Sequence, residues 1–140
     1  MDKKTKTYPF GEIEFFDQLE EHAWDQIHDG MLPIMDLYLD PTVTDIFINR
    51  YDNIYTSVNG KYVKTDSSFS SERALKAWID QIATVLRQPF STSGNYKYGD
   101  VIEPVLDARF PDGSRLMCTD PVISPQGSTV SLRKVPKQIR

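Results

Sequence analysis

Two dipeptides limit what this chain can become. Asn59-Gly60 sits in "YTSVNGKYVKT" and Asp112-Gly113 in "LDARFPDGSRLM", each between short runs of alternating apolar and polar residues. Asn-Gly and Asp-Gly supply the positive φ angles of tight hairpin turns, so each pair joins two antiparallel strands. Two hairpins in one chain call for an antiparallel sheet, and such a sheet can leave one face to solvent.

Around these turns the hydrophobic period sets the remaining elements. "TDIFIN", residues 44–49, reads as a strand, and 53–65 as the two strands of the first hairpin. Further strands are expected near 102–110, 114–119 and 128–134. From Glu12 to Asp29, the apolar residues Phe16, Leu19, Ala23 and Ile27 recur at three- and four-residue steps. That spacing predicts an amphipathic helix ended by Gly30, with Asp17, Glu20, Glu21 and Asp25 on its solvated face. A short helix is expected from Pro33 to Leu39, stopped by Asp40-Pro41. Ser70 or Ser71 can cap a long helix with the stripe Leu75, Trp78, Ile79, Ile82, Ala83 and Leu86, closed by Pro89. Residues 1–9 read as a polar, lysine-rich tail and residues 91–100 as a loop. One apolar stripe per helix means that helices cover one face. The expected fold is therefore α+β: a two-layer, PAS-like domain with an antiparallel sheet of about six strands, helices on one face, and two N-terminal helices.

The chemistry legible in the residues is sparse. With 140 residues the chain is one domain's worth, and its formal charge of −4 gives no electrostatic case for a nucleic-acid partner. Cys118 is the only cysteine, which excludes a disulfide framework and reads as a half-buried strand residue. No apolar run reaches the roughly 18 residues of a membrane helix. The basic start "MDKKTKTYPF" lacks the apolar stretch of a secretory signal. Neither a G-x-x-x-x-G-K-[ST] loop nor a G-x-G-x-x-G turn occurs. His22 and His28 are six apart, on different faces of a helix, and Asp45, Asp107 and Asp112 are scattered over strands and a turn. No metal site is expected, and the chain alone is expected not to be an enzyme.

The arginines remain. Strand alternation puts Arg115, Met117 and Thr119 on one face, against Leu116 and Cys118. It puts Thr129, Ser131 and Arg133 on one face, against Val130 and Leu132. Two arginines on neighbouring strands are either solvated or aimed at an anion, because a planar guanidinium grips phosphate through two parallel hydrogen bonds. A two-residue turn at Asp112-Gly113 would set Arg109 opposite Leu116, on the other face from Arg115.

The stretch Asp107-Ala108-Arg109-Phe110-Pro111-Asp112-Gly113-Ser114-Arg115, taken with Ser131-Leu132-Arg133-Lys134, resembles the N-terminal domain of the secretion ATPases. These are the ring-forming motors of type IV secretion and tight-adherence pili, relatives of the type II secretion and pilus-retraction ATPases. The likeness runs from about Leu39 to Lys134. It departs at Asn49-Arg50, where the family usually has Asn-Gly, and in the long link between the last helix and the Asp-Ala-Arg strand. The resemblance implies the following organisation: a tail and acidic helix over 1–30, an α+β domain over 31–134, and the start of a linker over 135–140 to a C-terminal RecA-like ATPase domain that this sequence lacks. It implies that Arg115 and Arg133, with Arg109 as a further candidate, approach the phosphates of ATP and its Mg held by that second domain. The implied partners are that domain, five further copies in a hexamer, and inner-membrane secretion or pilus components, with a cytoplasmic location at the membrane's inner side. The other reading of the same residues is a freestanding small-molecule-binding or sensor module.

Overall fold

The computed structural model describes residues 3–88, 105–119 and 128–135. They run β1 (Lys4–Tyr8), β2 (Gly11–Phe15), α1 (Gln18–Gly30), α2 (Leu32–Leu39), β3 (Val43–Arg50), β4 (Asn53–Val58), β5 (Lys61–Lys64), α3 (Glu72–Val85), β6 (Val105–Arg109), β7 (Arg115–Thr119) and β8 (Val130–Arg133). Asn59 and Gly60 take φ values of 52° and 77°, the two positive angles of a type I′ turn, and join β4 to β5. The main sheet has six strands in the order β5-β4-β3-β8-β7-β6, and all its pairings are antiparallel. β8 returns to the middle of the sheet and unites the two hairpins. The α+β class, the six strands and the single helical face stand as expected.

Alternation along the strands decides which face is covered. Ile46, Ile48, Ile54, Leu106, Leu116, Cys118, Val130 and Leu132 point to the helices and are buried. Cys118 is wholly buried, not half-buried, and burial pushes its thiol pKa up. α3 begins where the Ser71 hydroxyl accepts a 3.1 Å hydrogen bond from the Ala74 amide, and it buries Leu75, Trp78, Ile79, Ile82 and Ala83. It packs on α1, where Trp78 Nε1 donates to the Ile27 carbonyl at 3.0 Å. Gly30 lets the two helices approach there: a Cβ at that position would stand 2.9 Å from the indole. α2 contributes Ile34, Met35 and Tyr38 to the same core. Pro89, the expected stop of α3, and the 91–100 loop lie outside the described residues.

The N-terminus differs from the sequence reading. Residues 4–15 form a β-hairpin and not a tail running into a helix, and α1 starts only at Gln18. Phe16 and Leu19, assigned above to the buried stripe, are 54% and 81% exposed. The overlooked signal is period two: Ile13 and Phe15 are buried while Glu12 and Glu14 are exposed. Asp17 then caps α1, its carboxylate accepting from the Glu20 amide at 2.9 Å, and so fixes the true start. The hairpin is held by aromatic packing. Phe10 is fully buried between Tyr8 and Phe110, with ring centroids 5.0 Å away on each side. Burying such a ring contributes about 1.5–3 kcal/mol.

The second hairpin also differs, by a single residue. Its loop is a turn from Phe110 to Gly113, closed by the Gly113 amide donating to the Phe110 carbonyl at 2.8 Å, and Gly113 follows with φ 91°. Pro111, Asp112 and Gly113 all lie in the loop, so it has three residues and not two. Slipping a strand register by one residue turns every side chain to the other face. Arg109 therefore pairs with Arg115 and shares its face, contrary to the expectation that it would oppose Leu116.

Candidate functional site

The register places the arginines in one line. Arg109 of β6 is opposite Arg115 of β7, which is opposite Arg133 of β8, which is opposite Asp45 of β3. All three arginines lie on the face that no helix among the described residues covers. Neighbouring strands are about 4.8 Å apart, so the row of guanidinium-bearing positions spans roughly 10 Å. Like charges placed directly across a sheet repel unless something neutralises them.

Two carboxylates do so. Arg115 donates from Nε and Nη2 to the two oxygens of Asp107, at 3.1 and 2.8 Å. Both side chains are about half exposed, at 49% and 50%. Asp107 is held below its ordinary pKa by these hydrogen bonds, and the Arg115 pKa is raised in return. Arg133 Nε donates to Asp45 Oδ1 at 3.1 Å. That pair is lopsided: Arg133 is 79% exposed and Asp45 only 15%. Thr44 Oγ1 also donates to Asp45, at 2.9 Å.

The loop ahead of Arg115 is anchored from below. Tyr38 of α2 donates its hydroxyl to Asp112 and lies 3.0 Å from the Ser114 hydroxyl. The Ser114 amide donates to Asp112 Oδ1 at 2.8 Å, and the Asp112 amide to the Phe10 carbonyl at 2.9 Å. Burial, followed by the Asp112 carboxylate, pushes the Tyr38 pKa up, so its proton stays on and keeps donating. Gly11 fits against this loop because a Cβ there would meet Asp112 N and Pro111 Cβ at 2.8 Å. Helix α2 and the N-terminal hairpin thus hold the loop that leads into Arg115.

Two residues further along β3, the same face carries an aromatic cleft. Phe47, Asn49, Asn53, Tyr55 and Tyr62 line a hollow of about 420 Å³. Phe47 and Tyr62 meet edge to face at 5.3 Å, and the Lys64 ammonium lies over the Tyr55 ring. Phe47 is one strand across from Arg133 and two residues along, about 8 Å by strand spacing. Sequence reading did not single out Phe47, Tyr55 or Tyr62. Their signal was an aromatic at alternate strand positions that faces away from the isoleucines.

The other residues weighed above do not converge. Asp112 is committed to the loop; His22 hydrogen-bonds with Gln26, and His28 with Asp29 while its ring lies beside that of Tyr8. No group of three histidine, cysteine, aspartate or glutamate side chains is placed to hold a metal among the described residues. No helix among them is long and apolar enough to cross a membrane.

Neither a protein-family model nor a curated protein matches the sequence. Solved structures match its fold. One is the VirB11 ATPase of the Brucella suis type IV secretion system, determined in complex with sulphate, at a TM-score of 0.70 and 18% identity. The alignment covers 89% of this chain and 34% of that one, so this chain spans about a third of the length of the ATPase it matches. At that identity the likeness is one of fold: this chain has the architecture of part of a type IV secretion ATPase.

Proposed function

We propose that this chain is the N-terminal, ring-forming and nucleotide-clamping domain of an ATPase that powers type IV or type II-like secretion or pilus assembly. The observation that carries the reading is the row of Arg109, Arg115 and Arg133 on an open sheet face, within the fold shared with part of a VirB11 ATPase. Such a row suits a chain of phosphates. The aromatic and amide cleft beside it suits a flat heterocycle, so the face offers complementary surfaces to both ends of a nucleotide. The sulphate bound by the VirB11 ATPase is an anion of similar geometry.

In this reading, ATP and Mg belong to a RecA-like domain that follows in the parent protein, as the resemblance to the secretion ATPases implies. The contribution of this chain is electrostatic. Arg115 and Arg133 neutralise charge on the transferring phosphoryl group and register its presence. The parent assembles as a homohexamer at the cytoplasmic side of the inner membrane, against secretion or pilus components. Reading the native gene past codon 140 tests this at once, because a G-x-x-x-x-G-K-[ST] loop is expected downstream. In that parent protein, Arg115→Ala or Arg133→Ala is expected to lower ATP hydrolysis by about 10³-fold or more while this domain stays folded. Normal hydrolysis in both variants would remove the clamp role. A stop codon after Arg140 would favour a freestanding anion-binding or sensor module.

A further inference from the structure

The three arginines of the row are not equally available, and the inequality points to a fourth residue. Asp107 occupies the Nε–Nη2 edge of Arg115 with both carboxylate oxygens, one of the two edges through which a guanidinium can grip a phosphate by two parallel bonds. Asp45 touches Arg133 only through Nε, is largely buried, and has Thr44 as a second partner. It is a strut and leaves most of the Arg133 guanidinium facing solvent. Asp107 has Arg115 as its hydrogen-bonding partner, lies half exposed, and sits two residues from Arg109 on the same face of β6.

Resting on the nucleotide-clamp reading, we propose that Asp107 is an internal competitor for the anion, which must be displaced from Arg115 before a polyphosphate can bind across the row. Arg109 and Arg133 then offer the first contacts and Arg115 the last. The depressed pKa of Asp107 agrees with a carboxylate that stays ionised, and so stays in competition, throughout the neutral range. Exposed ion pairs contribute little to folding, so displacing Asp107 leaves the domain intact. Its repulsion of a multiply charged ligand a few ångströms away is the larger effect and sets the direction: removing the carboxylate tightens binding.

The test is calorimetric titration of the 140-residue chain with inorganic tripolyphosphate, comparing the wild type, Asp107→Asn, Asp45→Asn and the double variant Arg115→Ala/Arg133→Ala. Asp107→Asn is expected to tighten binding roughly fivefold or more. The gain should shrink as salt is raised, which a merely structural role would not produce. Asp45→Asn is expected not to tighten it, because that carboxylate does not block the fork. Detectable binding by Asp107→Asn where the wild type shows none also supports the proposal. Unchanged or weaker binding by Asp107→Asn, while the double arginine variant loses binding, overturns the competitor role alone. Where the wild type binds, equal binding by the double arginine variant overturns the clamp reading, and the competitor role with it. No binding by any variant at millimolar ligand overturns both.

Discussion

Leu116 and Arg115 are adjacent in the chain and belong to opposite regimes. On the covered face of the sheet, Leu116 joins buried isoleucines, valines and leucines. On the open face, Arg115 is half exposed and held by one carboxylate. The first face contributes folding energy through excluded apolar area, and the second contributes charges whose pairing in water is nearly neutral to folding. A protein built this way can vary the chemistry of one face without altering the core behind the other. The division is sharp because a strand sends successive side chains to opposite sides.

That contrast can be broken experimentally, beginning with the largest effect. Leu116→Ala removes a fully buried side chain and is expected to cost about 2–5 kcal/mol in chemical denaturation, whereas Met117→Ala one residue later should stay within about 0.5 kcal/mol. Comparable losses at the two positions would mean that the open face is covered in the protein as it exists in solution. Tyr38→Phe tests the link between the faces, since its hydroxyl reaches from the core to the loop ahead of Arg115. It leaves Asp112 and Ser114 short of a partner and should cost about 1–3 kcal/mol by the same measurement. An unchanged denaturation midpoint would show that the loop holds itself.

The smallest effect belongs to the open face. The Asp107 pKa is depressed in the folded chain by its bonds to Arg115. Its contribution is therefore complete above the ordinary aspartate value of about 3.9 and is lost as pH falls through the depressed one. An NMR titration of the Asp107 carboxyl should show a midpoint below that ordinary value in the wild type and a return towards it in Arg115→Ala. A midpoint unmoved by the arginine change would mean that the pair does not persist in water.

Much of this was readable from residues alone, and the misses share a cause. The Asn59-Gly60 hairpin, the Ser71 cap and the stripe of α3 are local: each element's signal lies within its own few residues. The N-terminal hairpin was missed because Phe16, Leu19, Ala23 and Ile27 imitate a helical period. What makes residues 4–15 a hairpin is the burial of Phe10 against Phe110, a hundred residues away. Arg109 was misplaced because Asp112-Gly113 fits both a two- and a three-residue loop. Asp112 settles the matter through bonds to Tyr38 and Phe10, which are distant in sequence. The aromatic cleft was overlooked because Phe47, Tyr55 and Tyr62 come from three strands and only pairing brings them together.

The sequence by itself determined the class of fold, the pairing within the Asn59-Gly60 hairpin, the placing of helices over one sheet face, and the sharing of a solvent side by Arg115 with its polar neighbours. Those follow from periodicity and turn chemistry, which act over a few residues. Only the tertiary structure decided that β8 inserts between the hairpins, that Arg109 joins Arg115 and Arg133 in one row, and that Asp107 and Asp45 hold two of the three in different ways. Register and ion pairing depend on contacts between segments far apart in the chain, and a one-residue shift in either changes which charges meet.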